Sequence, residues 1–147
     1  MDDMLHYKTI QELSSLIETG ELSPLTLTEA MLARIEALDG RMKSYATVMA
    51  ESALAEARAA EAEIAAGRYL GPLHGIPIAV KDLCYTSGVR TMGGCAVLAD
   101  HVPAFDATVA RRLRPPAPLL VRHPPLTPGP LAGYTPACPV PANPSHR

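Results

Sequence analysis

The chain has 147 residues, of which 48% are apolar and 19% charged, with five Tyr, one Phe and no Trp. That length suffices for one domain with a modest core, and the composition excludes a disordered, collagenous or disulfide-dense class. The net charge of −2 hides an asymmetry: residues 1–106 hold eight basic and all fifteen acidic side chains, whereas residues 107–147 hold five Arg and no acid.

The first seventy residues read as helices. Thr9 followed by Glu12 is a capping box, in which hydroxyl and carboxylate each satisfy an orphan backbone N–H. Ile10, Leu13, Leu16 and Ile17 then share one apolar face, and Gly20 supplies a left-handed stop. Ser23 caps a second helix with Pro24 at its first position, where the missing N–H costs nothing. Leu27, Met31, Ile35 and Leu38 form its buried stripe, and Asp39-Gly40 is the expected end. A third helix is expected over 50–66. It is rich in Ala, Glu and Arg, has a narrow apolar face, and closes at Gly67.

The texture changes at residue 71. Gly71-Pro72-Leu73-His74-Gly75 is a turn, and Ile76 to Val80 has the pattern of a strand buried on both faces, ending in Lys81-Asp82. A loop punctuated by Gly and Thr follows from Thr86 to Gly94. Asp106 to Arg114 reads as a helix capped by Asp106, with Val109 and Leu113 facing inward. Eleven of the fifteen prolines fall in the last 33 residues. They predict an extended tail in which Leu119-Leu120-Val121 forms at most a short edge strand. The organisation expected is a helical segment over 1–70, the start of a core over 71–114 and an aberrant proline-rich tail over 115–147.

Several function classes drop out. Arg111, Arg112, Arg114, Arg122 and Arg147 are spread too thinly for a nucleic-acid stripe. Cys84, Cys95 and Cys138 contain no Cys-x-x-Cys pair and no zinc spacing, so free thiols in a reducing cytosol are expected, with no metal and no cofactor. Met1-Asp2-Asp3-Met4 does not open a signal peptide, and no apolar run approaches the roughly 20 residues of a bilayer span. A soluble, cytoplasmic protein without membrane partners is the expectation.

Lys81 is the residue of chemical interest. A Lys emerging from a buried strand stands in a setting that disfavours its charged form, and a neutral amine is a proton acceptor. Residue type and pattern alone favour the plainer alternative, a solvated Lys at a strand end.

Gly71-Pro72-Leu73-His74-Gly75-Ile76-Pro77-Ile78-Ala79-Val80-Lys81-Asp82 closely resembles the string G-P-L-H-G-I-P-(I/V)-(A/L/G)-(V/I)-K-D of the amidase-signature enzymes. These include bacterial amidases and the A subunit of glutamyl-tRNA(Gln) amidotransferase. The two capped helices upstream also match, as do Gly88-Val89-Arg90-Thr91, Leu98-Ala99-Asp100 and Asp106-Ala107-Thr108-Val109 downstream. The resemblance covers residues 5 to 114 and resumes more loosely at Leu131-Ala132-Gly133-Tyr134 and Pro141-Ala142-Asn143-Pro144.

This resemblance implies an α/β chain: N-terminal helices followed by the first strand or strands of an incomplete amidase-signature mixed-sheet core. It also implies carbon–nitrogen bond hydrolysis by a Ser–cis-Ser–Lys triad, with a small-molecule amide as substrate and Lys81 as the ultimate base. The family's two serines lie in and after a Gly/Ser-rich loop that also supplies oxyanion donors. No such loop occurs here, and Ser14, Ser15, Ser23, Ser44, Ser52, Ser87 and Ser145 match none of its context. Residues 115–130 depart from the family, a departure that suggests a frame-disturbed or decayed coding segment. The expectation is therefore an N-terminal amidase piece, inactive alone. The alternative is a non-catalytic interaction module or split-enzyme partner, pairing with a C-terminal amidase part or a homologue.

Weaker candidates are His74, expected to be a structural hydrogen-bonder, and Asp82, expected either to orient the Lys81 region or to cap a turn. Cys95 stands where many family members have Ser, but without an evident partner base it reads as a buried thiol. His101, His123 and His146 share no metal-ligand spacing.

Overall fold

Local capping chemistry sets most of the architecture. The computed structural model describes residues 4–113 and 119–123. The rest of the proline-rich tail, with Cys138, His146 and Ser145, lies outside the described residues. The described chain contains four α-helices: α1 (Ile10–Glu18), α2 (Pro24–Met42), α3 (Ala50–Ala65) and α4 (Thr108–Leu113). Three strands, β1 (Thr47–Val48), β2 (Ile78–Lys81) and β3 (Leu119–His123), form a sheet in the order β1-β3-β2. Among the described residues no helix is long and apolar enough to cross a membrane.

The chain divides into two compact units. One takes in Met1–Ile35 and Met49–Ile78; the other takes in Glu36–Val48 and Ala79–Arg112.

In the first unit both expected caps form. The Thr9 hydroxyl accepts the Glu12 N–H at 3.2 Å, and the Glu12 carboxylate accepts the Thr9 N–H at 2.7 Å. These two Thr9 groups hold the Glu12 carboxyl below the usual glutamate range. The Ser23 hydroxyl accepts the N–H groups of Leu25 and Thr26 at 3.0 and 3.2 Å and donates to the Glu61 carboxylate. Helix α3 ends in a Schellman motif: Arg68 N–H donates to Glu63 at 2.9 Å and Gly67 N–H to Ile64 at 2.9 Å, with Gly67 at φ +80°.

Leu5, Leu13, Ile17, Leu27 and Ile76 form the apolar core, with Leu22, Met31, Ile64 and Tyr69 packed against it. Ala53, Ala57 and Ala60 are the buried stripe of α3. Gly75 makes the closest approach. It sits at φ +80°, and a Cβ there would lie 2.6 Å from Pro24 Cγ. Only glycine suits that backbone and that space together.

Five expectations need correction. Helix α2 runs through Gly40 to Met42. It turns at Lys43, whose φ of +51° takes the left-handed position usually given to glycine, and the Asp39 carboxylate accepts the Ser44 N–H at 2.6 Å. Leu38, placed on the buried stripe, is exposed. Strand β2 is not buried on both faces: it begins at Ile78, includes Lys81, and alternates so that Ala79 is exposed while Val80 is buried. Asp106 does not cap α4; its carboxylate accepts the Ser87 N–H at 2.7 Å, and α4 buries Ala110 while Val109 is exposed. The stretch around Leu119 is not an edge strand, since β3 stands between β1 and β2. It pairs antiparallel with β1, Thr47 opposite Arg122 and Val48 opposite Val121.

Candidate active site around Lys81

Strand β2 delivers Lys81 as its last residue, half-buried, in the second unit. The chain then turns at once: the Cys84 N–H donates to the Lys81 carbonyl at 2.9 Å. Asp82, the next side chain, is fully buried. One oxygen of its carboxylate accepts the N–H groups of Gly93 at 3.0 Å and Met92 at 3.3 Å. Two backbone donors converging on one carboxylate form charge-assisted bonds, which fasten the Met92–Gly93 turn against the end of β2. Of the two roles expected for Asp82, these bonds support the turn cap.

The loop between these anchors is ordered by its own backbone. Thr86 and Val89 form an isolated antiparallel bridge around Ser87-Gly88. Thr91 N–H donates to the His101 carbonyl at 2.8 Å, Gly88 N–H to Pro103 at 3.0 Å, and Ala107 N–H to Tyr85 at 2.8 Å. Gly93 and Gly94 both lie at positive φ, so the turn that meets Asp82 needs residues without a Cβ penalty. The Cys95 N–H closes it onto the Met92 carbonyl at 2.9 Å. Cys84 and Cys95 are half-buried and stand outside any disulfide. Beside Lys81, then, stands Asp82, which fastens the Met92–Gly93 turn. No local pattern could have revealed the Met92 and Gly93 amides as Asp82 partners, because they lie ten and eleven residues away.

His74, which the sequence places in the same string as Lys81, belongs to the first unit. It is fully buried: Nδ1 accepts the Leu70 N–H at 3.1 Å and Nε2 faces the Glu63 carboxylate at 3.3 Å. Both ring nitrogens are thus committed to structural bonds, as expected. Among the described residues no three His, Cys, Asp or Glu side chains are grouped to hold a metal ion.

The described residues thus form a mixed α/β structure with capped N-terminal helices, a Gly-rich turn and a lysine ending the following strand. The Amidase family matches residues 26–121, and this chain belongs to that family. It is 47% identical over 143 residues to a Mycobacterium tuberculosis protein named as a putative amidase, AmiD, covering 97% of this chain and 30% of that relative. It is 52% identical over 110 residues to the A subunit of the glutamyl-tRNA(Gln) amidotransferase of Moorella thermoacetica, covering 75% of this chain and 23% of that relative. The fold matches the crystal structure of the native peptide amidase of Stenotrophomonas maltophilia with a TM-score of 0.74 at 36% identity, over 79% of this chain and 24% of that one. The chain therefore spans less than a third of the length of each of these proteins.

Proposed function

We propose that this chain is the lysine-bearing part of an amidase-signature hydrolase acting on small-molecule amides. In this reading Lys81 is the base that ultimately takes the proton of a serine nucleophile, and both serines come from polypeptide beyond these 147 residues. The observation that carries the reading is the position of Lys81. It ends β2, and the next residue is a buried carboxylate bonded to two backbone amides, which holds the strand end in place. The full family string around that lysine supports the same assignment. A base must be held in fixed geometry to accept a proton efficiently, and a rigid turn at a strand end provides that. The half-buried thiols of Cys84 and Cys95 suit a reducing cytosol.

Hydrolysis needs a nucleophile and donors for the developing oxyanion as well as a base. We therefore expect activity only when the remainder of an amidase is supplied. The test is complementation: residues 1–147 are mixed with a separately produced polypeptide holding the rest of the Mycobacterium AmiD sequence, and hydrolysis of a simple primary amide is followed. Turnover is expected with the wild-type chain and not with Lys81→Ala. Equal turnover with both chains would remove Lys81 from the mechanism.

A second reading, a non-catalytic interaction module, is favoured by one observation. The second unit leaves Leu83, Val97, Val102 and Phe105 exposed. Size-exclusion with and without the same complementing polypeptide distinguishes it: complex formation without Lys81-dependent turnover supports a module rather than an enzyme half.

A further inference from the structure

Residues 68–75 connect α3 to the approach of β2 and are tied down through His74. The His74 N–H donates to the Gly71 carbonyl at 2.9 Å, and its ring accepts the Leu70 N–H through Nδ1 at 3.1 Å. A nitrogen that accepts an N–H carries no proton, so the imidazole is the neutral tautomer with its hydrogen on Nε2, directed at Glu63 Oε2. The groups around the ring are few. Glu63 faces it from α3 and is itself paired with Arg68 at 2.7 Å. Tyr69 stacks on it with ring centroids 6.0 Å apart, and the Tyr69 hydroxyl bonds Ser14 of α1 at 2.6 Å. From α2, Pro24 crowds the adjacent Gly75.

We propose that His74 is a proton-operated latch on this connection: a proton arriving at Nδ1 displaces the Leu70 N–H and releases the 69–75 turn. The cationic ring presents N–H on both sides, and Nδ1–H pointed at the Leu70 N–H sets two donors against each other in a partly buried place. The ring then keeps its Glu63 contact, strengthened by charge, and gives up the backbone one. Burial holds the imidazole below the usual histidine range, opposed by the attraction of Glu63. The neutral form is therefore the one the fold favours. The sign follows: the His74 contribution to stability is complete above about pH 6.5, the ordinary histidine value, and is lost as pH falls below it. Nothing in this depends on whether Lys81 takes part in catalysis.

The test uses the 15N-labelled 147-residue chain between pH 8 and pH 5. Imidazole nitrogen shifts report the protonation of His74, and amide hydrogen exchange reports the Leu70 N–H, as a protection factor corrected for intrinsic rates. At pH 8, Nδ1 should carry no hydrogen. As the ring titrates, Leu70 protection should fall about tenfold per pH unit, as one linked proton requires, while the Leu13 and Ile17 amides of α1 hold theirs. Glu63→Gln keeps an acceptor for Nε2 but removes the charge, so it should move the Leu70 transition to lower pH. His74→Gln keeps a side-chain acceptor and donor without titrating, and should make Leu70 protection independent of pH. Leu70 protection that persists while His74 gains its proton overturns the latch, as does a Leu70 transition that Glu63→Gln leaves in place. Each of these readings stands even if His74→Gln fails to fold.

Discussion

The two compact units of this chain hold themselves together in different ways. The first buries large apolar side chains, Leu5, Leu13, Ile17, Leu27 and Ile76, with the polar Ser14, Thr28 and His74 beside them, among helices of which α1 and α2 carry side-chain N-caps. The second, which carries Lys81, buries Val80, Met92 and Ala110 alongside the polar Asp82, Thr86 and Thr91, and leaves Val97, Val102 and Phe105 exposed. Apolar burial contributes about 25 cal/mol per Å² wherever it occurs and needs no particular geometry. A carboxylate bonded to two loop amides contributes only while its geometry holds, and leaves buried donors unsatisfied when it is lost. Lys81 thus sits in the unit with the more geometry-dependent support.

Three substitutions sharpen that contrast. Gly75→Ala strikes the first unit at its tightest point, where a Cβ would meet Pro24 at 2.6 Å with the backbone at φ +80°. Left-handed strain and overpacking together should cost about 3 kcal/mol, read as a lower denaturant midpoint with an unchanged slope. Asp82→Ala strikes the second unit and should cost about 2 kcal/mol. Its signature is local: the Met92 and Gly93 amides lose hydrogen-exchange protection, while those of Leu13 and Ile17 keep theirs. If all four amides lose protection together, the two units do not differ in the way described. Gly40→Ala should go the other way. Gly40 lies within α2, and a Cβ there would meet nothing within 4 Å. The smaller unfolded-state entropy should stabilise the chain by about 0.5 kcal/mol, measurable as a raised midpoint.

The same contrast explains what could be read from the sequence. The Thr9–Glu12 box, the Ser23-Pro24 start and the Gly67 stop all act over three or four residues, so their residue types announce them. Ile17 and Leu27 follow helical periodicity and are fully buried. Where partners are distant, local signals mislead. Asp39-Gly40 has the look of a helix end, yet the Asp39 carboxylate serves Ser44 beyond the true one. Asp106 has the look of a cap, but its partner Ser87 lies nineteen residues earlier. Strand β1 has only two residues and pairs with Val121 and Arg122, so nothing nearby marks it. The place of Lys81 at a strand end is legible because an unbroken twelve-residue string carries it; the amides that fasten its neighbour are not, because they follow a loop whose course is set by tertiary bonds.

The central claim is that the amine of Lys81 has no serine to act on within these 147 residues. Hydrolysis of a simple primary amide by the purified chain, alone and beside its Lys81→Ala variant, tests it most directly. The same background rate is expected for both. Turnover by the wild type that disappears in Lys81→Ala would contradict the claim, by placing a nucleophile from this chain beside that amine.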